Sequence, residues 1–426
     1  MGVCFISTML TSEIYKIYLE HPNICTDTRK IIDKGMFFAL KGNNFNGNTF
    51  ALESIKQGCS FAVVDNKDLI NNSNLILVEN VLETLQDLAR HHRNQLDIPV
   101  IGITGTNGKT TSKELINTVL NSSISCYATK GNLNNHIGVA LSILKIKLTH
   151  QLAVIEMGAN HNKEIEFLCN IAKPTHGVIT NIGKAHLKGF KNFEGIIKTK
   201  NELYKFIKKN NGILFVNSDD ELLTKLSKGI KKELYGTKSD FNLTIENTDP
   251  FVNINWDNNL ITSNLIGDYQ FYNLALTICI GEHFKISKRN IKKQIEAYRP
   301  RNNRSEIIQT TSNLIIMDAY NANPSSMSAM IKSFAKNNYK SKLVILGDML
   351  ELGKYATSEH NIILKLCQKL KLDHILVGEE FRKINNKSYK NKNDLIKFLM
   401  KKPLYNKTIL LKGSRSIGLE ELVSSL

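Results

Sequence analysis

Only 7 prolines occur in 426 residues, and no Pro-rich or Gly/Ser-rich stretch accompanies them, so no flexible linker marks a domain junction. No two cysteines have C-x-x-C spacing, although seven are present: Cys4, Cys25, Cys59, Cys126, Cys169, Cys279 and Cys367. That spacing argues against a cysteine metal centre, and the odd count points to reduced thiols in a cytoplasmic compartment. No apolar run approaches the length of a membrane span. The start, Met1-Gly2-Val3-Cys4-Phe5-Ile6, lacks the basic flank of a signal peptide, and Ile6 stands where a myristoylation motif needs Ser or Thr. A soluble, cytoplasmic protein without membrane insertion is expected. Lysine and arginine total 56 against 39 acidic residues, a net charge of +17. Yet no block of five basic residues and no basic stripe interleaved with aromatics occurs, so the excess reads as a solvated surface and no nucleic-acid partner is expected.

A chain of this length exceeds one ordinary core, so two or three domains are expected. Short apolar runs at Gly35–Leu40, Ser60–Val64 and Leu75–Val78 read as strands of a small α/β unit over residues 1–96. Leu82, Leu85, Leu88 and Ala89 share one face of a helix predicted from Val81 to Asp97. Ile98-Pro99-Val100-Ile101-Gly102-Ile103 then opens a second unit, residues 97–298, with strands at Leu152–Ile155, Gly177–Thr180 and Ile213–Val216. Strands alternating with helices imply a parallel sheet covered on both faces. A third α/β unit, 299–426, follows the basic turn Arg299-Pro300-Arg301-Asn302-Asn303-Arg304, with strands at Leu314–Met317, Lys342–Leu346, His374–Val377 and Lys407–Leu411.

The strongest local signal is Gly102-Ile103-Thr104-Gly105-Thr106-Asn107-Gly108-Lys109-Thr110-Thr111. A buried strand runs into a glycine-rich turn, and a helix follows with Leu115, Ile116, Val119 and Leu120 on its inner face. Such a loop points backbone amides at phosphate oxygens and adds the positive end of a helix dipole. Lys109 would reach the terminal phosphates of ATP and the Thr110 hydroxyl would ligate Mg²⁺. One feature departs from the common phosphate loop, which carries glycine where Ile103 stands.

The loop Gly105–Thr111 resembles that of the Mur ligase superfamily, which also contains folate polyglutamate ligases. Asp27-Thr28-Arg29-Lys30 with Phe37-Phe38-Ala39-Leu40-Lys41-Gly42 resembles that family's domain for the UDP end of the substrate. Glu156-Met157-Gly158-Ala159-Asn160-His161, Asp318-Ala319-Tyr320-Asn321-Ala322-Asn323-Pro324, Gly347-Asp348-Met349-Leu350-Glu351-Leu352-Gly353 and Leu411-Lys412-Gly413-Ser414-Arg415 are similar to the branch that attaches D-alanyl-D-alanine. The resemblance implies three domains: a small UDP-binding α/β domain, a central phosphate-loop ATPase domain and a Rossmann-like C-terminal domain. It implies an ATP-dependent ligase joining D-alanyl-D-alanine to UDP-N-acetylmuramoyl-tripeptide through an acyl phosphate, in cytoplasmic peptidoglycan precursor synthesis. Its partners would be these small molecules alone, and a monomer is expected.

Site residues follow from the same resemblance. ATP would be held by Gly105, Thr106, Asn107, Gly108, Lys109, Thr110 and Thr111, with Asn273 near the adenine and Arg304 and Asp318 closing from the hinge and third domain. Glu156, at the carboxyl end of its strand, would hold Mg²⁺ together with Thr110. His186 matches a further metal ligand, although imidazole is an unusual partner for this hard ion and physics alone favours a structural histidine. Lys200 matches a lysine that becomes carbamylated and so bridges metals; Lys198, two positions earlier, is a rival on another helix face. Gln270 and Phe271 stand where the family often carries His-Asn. Thr28 and Arg29 would contact the UDP substrate, and Asn135, with Asn132 and Asn134, would face it or serve as an ordinary turn residue. His161 and His360 read as structural. The alternatives are a folate polyglutamate-type ligase and a basic phosphate-loop ATPase that binds nucleic acid.

Overall fold

The computed structural model describes residues 9–69 and 72–426, so Cys4 and the first six residues lie outside the described part. Four sheets of three or more strands organise it. The first is wholly parallel, in the order Ile24–Cys25, Met36–Phe38, Phe61–Val64, Leu75–Leu77. The second has six parallel strands, in the spatial order Lys232–Tyr235, Ile213–Asn217, His176–Ile179, Val100–Thr104, Leu152–Glu156, Cys126–Ala128. Its central strands are buried along their whole length, which is why they read as unbroken apolar runs. One face is covered by helices Lys109–Leu120 and Gln270–His283, whose Leu115, Ile116, Val119, Leu274 and Ile278 join one core. The other is covered by Glu164–Ala172 and Phe193–Lys209 through Ile165, Leu168, Leu203 and Ile207.

The phosphate-loop strand Val100–Thr104 lies at the point where the strand order reverses: the chain goes first to the edge on one side, returns to the strand beside it, and then crosses to the other side. Open α/β sheets leave a crevice beyond the carboxyl ends at such a point. The third sheet is an antiparallel ribbon, Leu243–Asn247, Asn253–Trp256 and Asn259–Thr262, that the sequence reading did not anticipate. The fourth has the order Glu306–Gln309, Leu314–Met317, Thr408–Lys412, Lys342–Gly347, Asp373–Val377; the first strand is antiparallel and was also not anticipated.

The helix Val81–Asn94, capped by the Asn80 side chain, is fastened to the central sheet at its far end. Buried Arg93 donates to the carbonyls of Ala172, Lys173, Leu96 and Ile98 at 2.7–3.3 Å, so it caps the carboxyl ends of two helices at once. His92 bonds Ile146 O at 2.7 Å and the Tyr15 hydroxyl at 3.1 Å. These ties hold the start of the helix (Asn80, Leu82, Glu83, Gln86) against the mouth of the central crevice. No described helix is long and apolar enough to cross a membrane, and the six described cysteines are buried and unpaired.

Candidate active site

The loop after Val100–Thr104 is built for close approach. Gly105 and Gly108 have φ of +144° and +82°, and a Cβ on Gly105 would fall 1.9 Å from Thr180 Oγ1. Only glycine combines that backbone with that contact. The loop is held by the chain leaving the neighbouring strand. Thr180 Oγ1 donates to Asn107 O at 2.6 Å, Asn181 Oδ1 accepts from Asn107 N at 3.0 Å, and Asn181 Nδ2 donates to Asn107 O at 2.9 Å. No side chain caps helix Lys109–Leu120, unlike the Asn- and Asp-capped helices starting at Val81, Phe193 and Glu221. Its first amides are left for an anion. Lys109 Nζ is folded back on Gly105 O at 2.6 Å and Thr106 O at 3.1 Å. Burial holds its pKa below the ordinary lysine range, against the pull of Glu156, and Arg304 adds to the lowering.

Glu156 is 2% exposed. Asn134 Nδ2 donates to its Oε1 at 2.8 Å, while Oε2 is buried without a hydrogen-bond partner. The nearest cation is Lys113 Nζ, 3.8 Å from Oε2 and equally buried. Glu156 and Thr110 line one cavity, and a buried carboxylate with an orphaned oxygen beside a threonine is oxygen-donor chemistry suited to Mg²⁺, which takes one or two carboxylates and completes its shell with phosphate and water. No group of three His, Cys, Asp or Glu is gathered among the described residues, so the residues present fit this kind of sparse site rather than an all-protein cage. His186, in the left-handed region at φ +50°, lines the same cavity with Nδ1 paired to Glu351 of the Gly347–Gly353 stretch. That pairing lowers the Glu351 carboxyl.

Lys200 is 3% exposed, with Nζ 3.3 Å from Thr104 Oγ1, whereas Lys198 faces solvent. Burial pushes Lys200 well below the ordinary lysine range; Lys109 adds to the push, and Glu164, Glu202 and Glu156 oppose it. A neutral amine is favoured there. Asn273 is buried, with Oδ1 accepting from Ser112 Oγ at 2.9 Å and Nδ2 donating to Gln270 Oε1 at 2.5 Å. Gln270 therefore orients Asn273, while Phe271 is a core residue, 1% exposed.

The third unit closes over this crevice. Asp318 accepts from Lys412 Nζ at 2.6 Å and from Ser305 N at 3.3 Å. Asn323 caps helix Pro324–Lys336, with Pro324 in its first turn, and its Nδ2 reaches across to Asn107 Oδ1 at 2.8 Å. Ser325 Oγ accepts from Lys184 N at 3.1 Å. The stretch Asp318–Pro324 thus touches the phosphate loop through Asn323.

These walls enclose a cavity of about 1640 Å³, larger than a pocket for one drug-sized ligand. Residues Gly105 to Thr111, Asn135, Glu156, His186, Lys200, Asn273, Arg304 and Asp318 all line it; Thr28 and Arg29 do not. Arg29 is instead exposed and bound to Asp27 by two side-chain bonds of 2.8 Å. Asn135 both lines the cavity and makes a turn, its Oδ1 accepting from Ile137 N and Gly138 N. His360 is fully buried between Met349 N and Ala356 O, whereas His161 is exposed on the cavity wall beside Glu164. Lys113, Thr180 and Asn181 were not singled out from sequence, whereas Asn134, grouped there with Asn132 and Asn135, lies on the cavity wall bonded to Glu156.

Known proteins decide the family. Residues 103–281 match the Mur ligase middle domain, and residues 303–415 the Mur ligase, glutamate ligase domain. The chain is 32% identical to the UDP-N-acetylmuramoyl-tripeptide–D-alanyl-D-alanine ligase of Bacillus subtilis, over 95% of this chain and 92% of the relative. The chain belongs to the Mur ligase family. Its fold superimposes on MurF from Acinetobacter baumannii with a TM-score of 0.85 at 28% identity, covering 95% of this chain and 92% of that one. MurF ligase from Thermotoga maritima, solved in complex with ADP, gives a TM-score of 0.81 at 25% identity over 95% and 96%. In this Mur ligase the described cavity occupies the join between the two matched domains and the start of helix Val81–Asn94.

Proposed function

We propose that the chain joins D-alanyl-D-alanine to UDP-N-acetylmuramoyl-tripeptide, using ATP, in cytoplasmic peptidoglycan precursor synthesis. One observation carries this reading beyond the relatives' names. A phosphate loop, a buried carboxylate with a free oxygen and a buried lysine share a cavity roomy enough for several substrates.

The carboxylate of the muramoyl peptide attacks the γ-phosphate; an O–P bond forms, the bond to the β-phosphate oxygen breaks, and ADP departs. The dipeptide amine then attacks the carbonyl carbon of the acyl phosphate, the C–O bond breaks, phosphate leaves and the amine gives up a proton. The chain's part is positioning and charge. Amides of residues 105–111 cradle the phosphates, and Lys109 exchanges the loop carbonyls for phosphate oxygens. Asn273 borders the nucleotide, and Arg304 and Asp318 approach it from the hinge and third domain. Thr110 and Glu156 would hold Mg²⁺, with His186 and a carbamylated Lys200 as further ligands, and the ion would neutralise charge on the transferred phosphoryl group. Lys200 is suited to that modification because its neutral amine can attack CO₂: a C–N bond forms and a proton is lost. The third domain, resting on Asn107 through Asn323, shields the acyl phosphate from water.

Phosphate release with ATP, the muramoyl tripeptide and the dipeptide, each omitted in turn, tests the reading. Sustained release should need all three. Equal release without the muramoyl peptide, or its replacement by a folate, overturns the assignment.

A further inference from the structure

The segment from Asn181 to Lys188 leaves the central sheet and runs between the phosphate loop and the third domain. On one side it holds Thr106: Thr106 N donates to Asn181 O at 2.9 Å, Gly183 N donates to Thr106 Oγ1 at 2.9 Å, and Thr106 Oγ1 donates to Gly183 O at 3.1 Å. On the other side three bonds reach the third domain. Lys184 N donates to Ser325 Oγ at 3.1 Å, Lys188 N to Glu351 O at 3.1 Å, and Lys184 Nζ to Glu359 Oε1 at 2.8 Å. The fit is close at its end, where a Cβ on Gly353 would lie 3.4 Å from Lys188 Cβ. The segment therefore joins the loop that cradles phosphate to the domain that covers it.

The Lys184–Glu359 ion pair stands apart from the other contacts. Gly183, Ala185 and His186 line the cavity, whereas Lys184 and Glu359 do not, so neither has a substrate to touch. Glu359, in the first turn of helix Ala356–Lys369, is 6% exposed. Among the described residues, Lys184 is the sole partner of its carboxylate. A carboxylate so enclosed favours the arrangement in which its cation reaches it, because the same enclosure leaves it unsatisfied without one. A second ion pair between the two matched domains, Lys336 with Asp268 at 3.2 Å, has both side chains well exposed and is screened more strongly by water and salt.

We propose that the Lys184–Glu359 pair fastens the third domain over the reacting groups and so sets how tightly phosphate release is coupled to amide formation. Lys184 is a positioning residue, acting through a segment whose other side holds the phosphate loop. The inference rests on the ligase reading above and adds to it the pair that protects the intermediate. With the pair broken, the third domain parts more often from the central one while the acyl phosphate is present. Water then adds to the acyl carbonyl, the C–O bond breaks, and the free carboxylate, phosphate and a proton result instead of the amide.

The test measures phosphate released per amide bond formed by the full-length enzyme, and phosphate released when the dipeptide alone is omitted. Lys184→Met and Glu359→Gln should each raise the release without dipeptide on the order of three- to tenfold. The double variant should leak no more than either single one, because the two side chains act as one pair. Lys184→Arg keeps the charge and should restore coupling. Unfolding followed by the fluorescence of Trp256, buried in the central domain, should match the parent in every variant. Single variants as tightly coupled as the parent overturn the inference alone, as do leaks that multiply in the double variant or that accompany a lowered unfolding midpoint. An unmodified enzyme that releases phosphate equally without the muramoyl peptide overturns the ligase reading and the inference with it.

Discussion

Replacing Lys113 by methionine should destabilise the central domain by about 3–4 kcal/mol, almost all of it through Glu156. The two groups are 3.8 Å apart, each no more than 3% exposed, and no hydrogen bond satisfies Glu156 Oε2. With an effective dielectric constant of about 20, a unit pair at that distance is worth about 4 kcal/mol. This agrees with the roughly 3–5 kcal/mol lost when one partner of a buried pair is removed. Methionine keeps most of the lysine volume, so cavity formation contributes little. The chain holds a single tryptophan, Trp256, buried in the same core as the loop helix residues Leu115, Ile116 and Val119. Its fluorescence during urea unfolding therefore reports on this domain rather than on the whole chain. The decisive assay is a double-mutant cycle with Glu156→Gln, in which Lys113→Met should cost less than about 1 kcal/mol once the carboxylate is gone. An equal loss in both backgrounds would refute the electrostatic reasoning and leave only packing.

Three further outcomes are expected. Lys109→Ala should lower turnover on the order of a hundredfold or more while the unfolding midpoint stays close to that of the parent, because the side chain serves developing phosphate charge; near-normal turnover would remove residues 105–111 from the ATP site. Lys200→Ala should lose most activity and regain part of it in added acetate, which replaces the carbamate, whereas exposed Lys198→Ala should be nearly silent; the reverse pattern would assign the modification to Lys198. His176 is buried against His283, 3.2 Å away, with its pKa pushed down to about 4 by burial first, then by His283 and Lys231. The unfolded chain then binds a proton that the folded chain refuses between about pH 6.5 and 4, so stability falls as pH drops through that window, by on the order of 3 kcal/mol. His176→Gln should flatten this part of the stability profile measured by Trp256 fluorescence, and an unchanged slope would exclude His176 as its source.

The parallel sheets were legible because strands buried on both faces must be apolar throughout, as in Val100–Thr104 and Leu152–Glu156. The antiparallel ribbon around Trp256 was missed, since its strands are short and half polar. Its signal was nonetheless present: Asn253-Ile254-Asn255-Trp256 alternates, and Asp257 and Asn258 both take positive φ in the two-residue turn that follows. Lys113 was also readable in principle. It follows Lys109 by one helical turn and so shares its face, but only three-dimensional packing places that face against Glu156. Asn181 could have been found from its place just past a strand's carboxyl end. The turn holding Thr28 and Arg29 lies off the cavity, a fact that does not follow from spacing along the chain.

Isotope transfer shows whether the muramoyl carboxylate becomes an acyl phosphate. The terminal carboxylate of the muramoyl tripeptide is labelled with the heavy oxygen isotope, and the phosphate released in a complete reaction is analysed by mass spectrometry. If that carboxylate attacks the γ-phosphate, one labelled oxygen must leave with phosphate each time an amide bond forms. Phosphate carrying no label, with amide formed in the same mixture, would contradict the account.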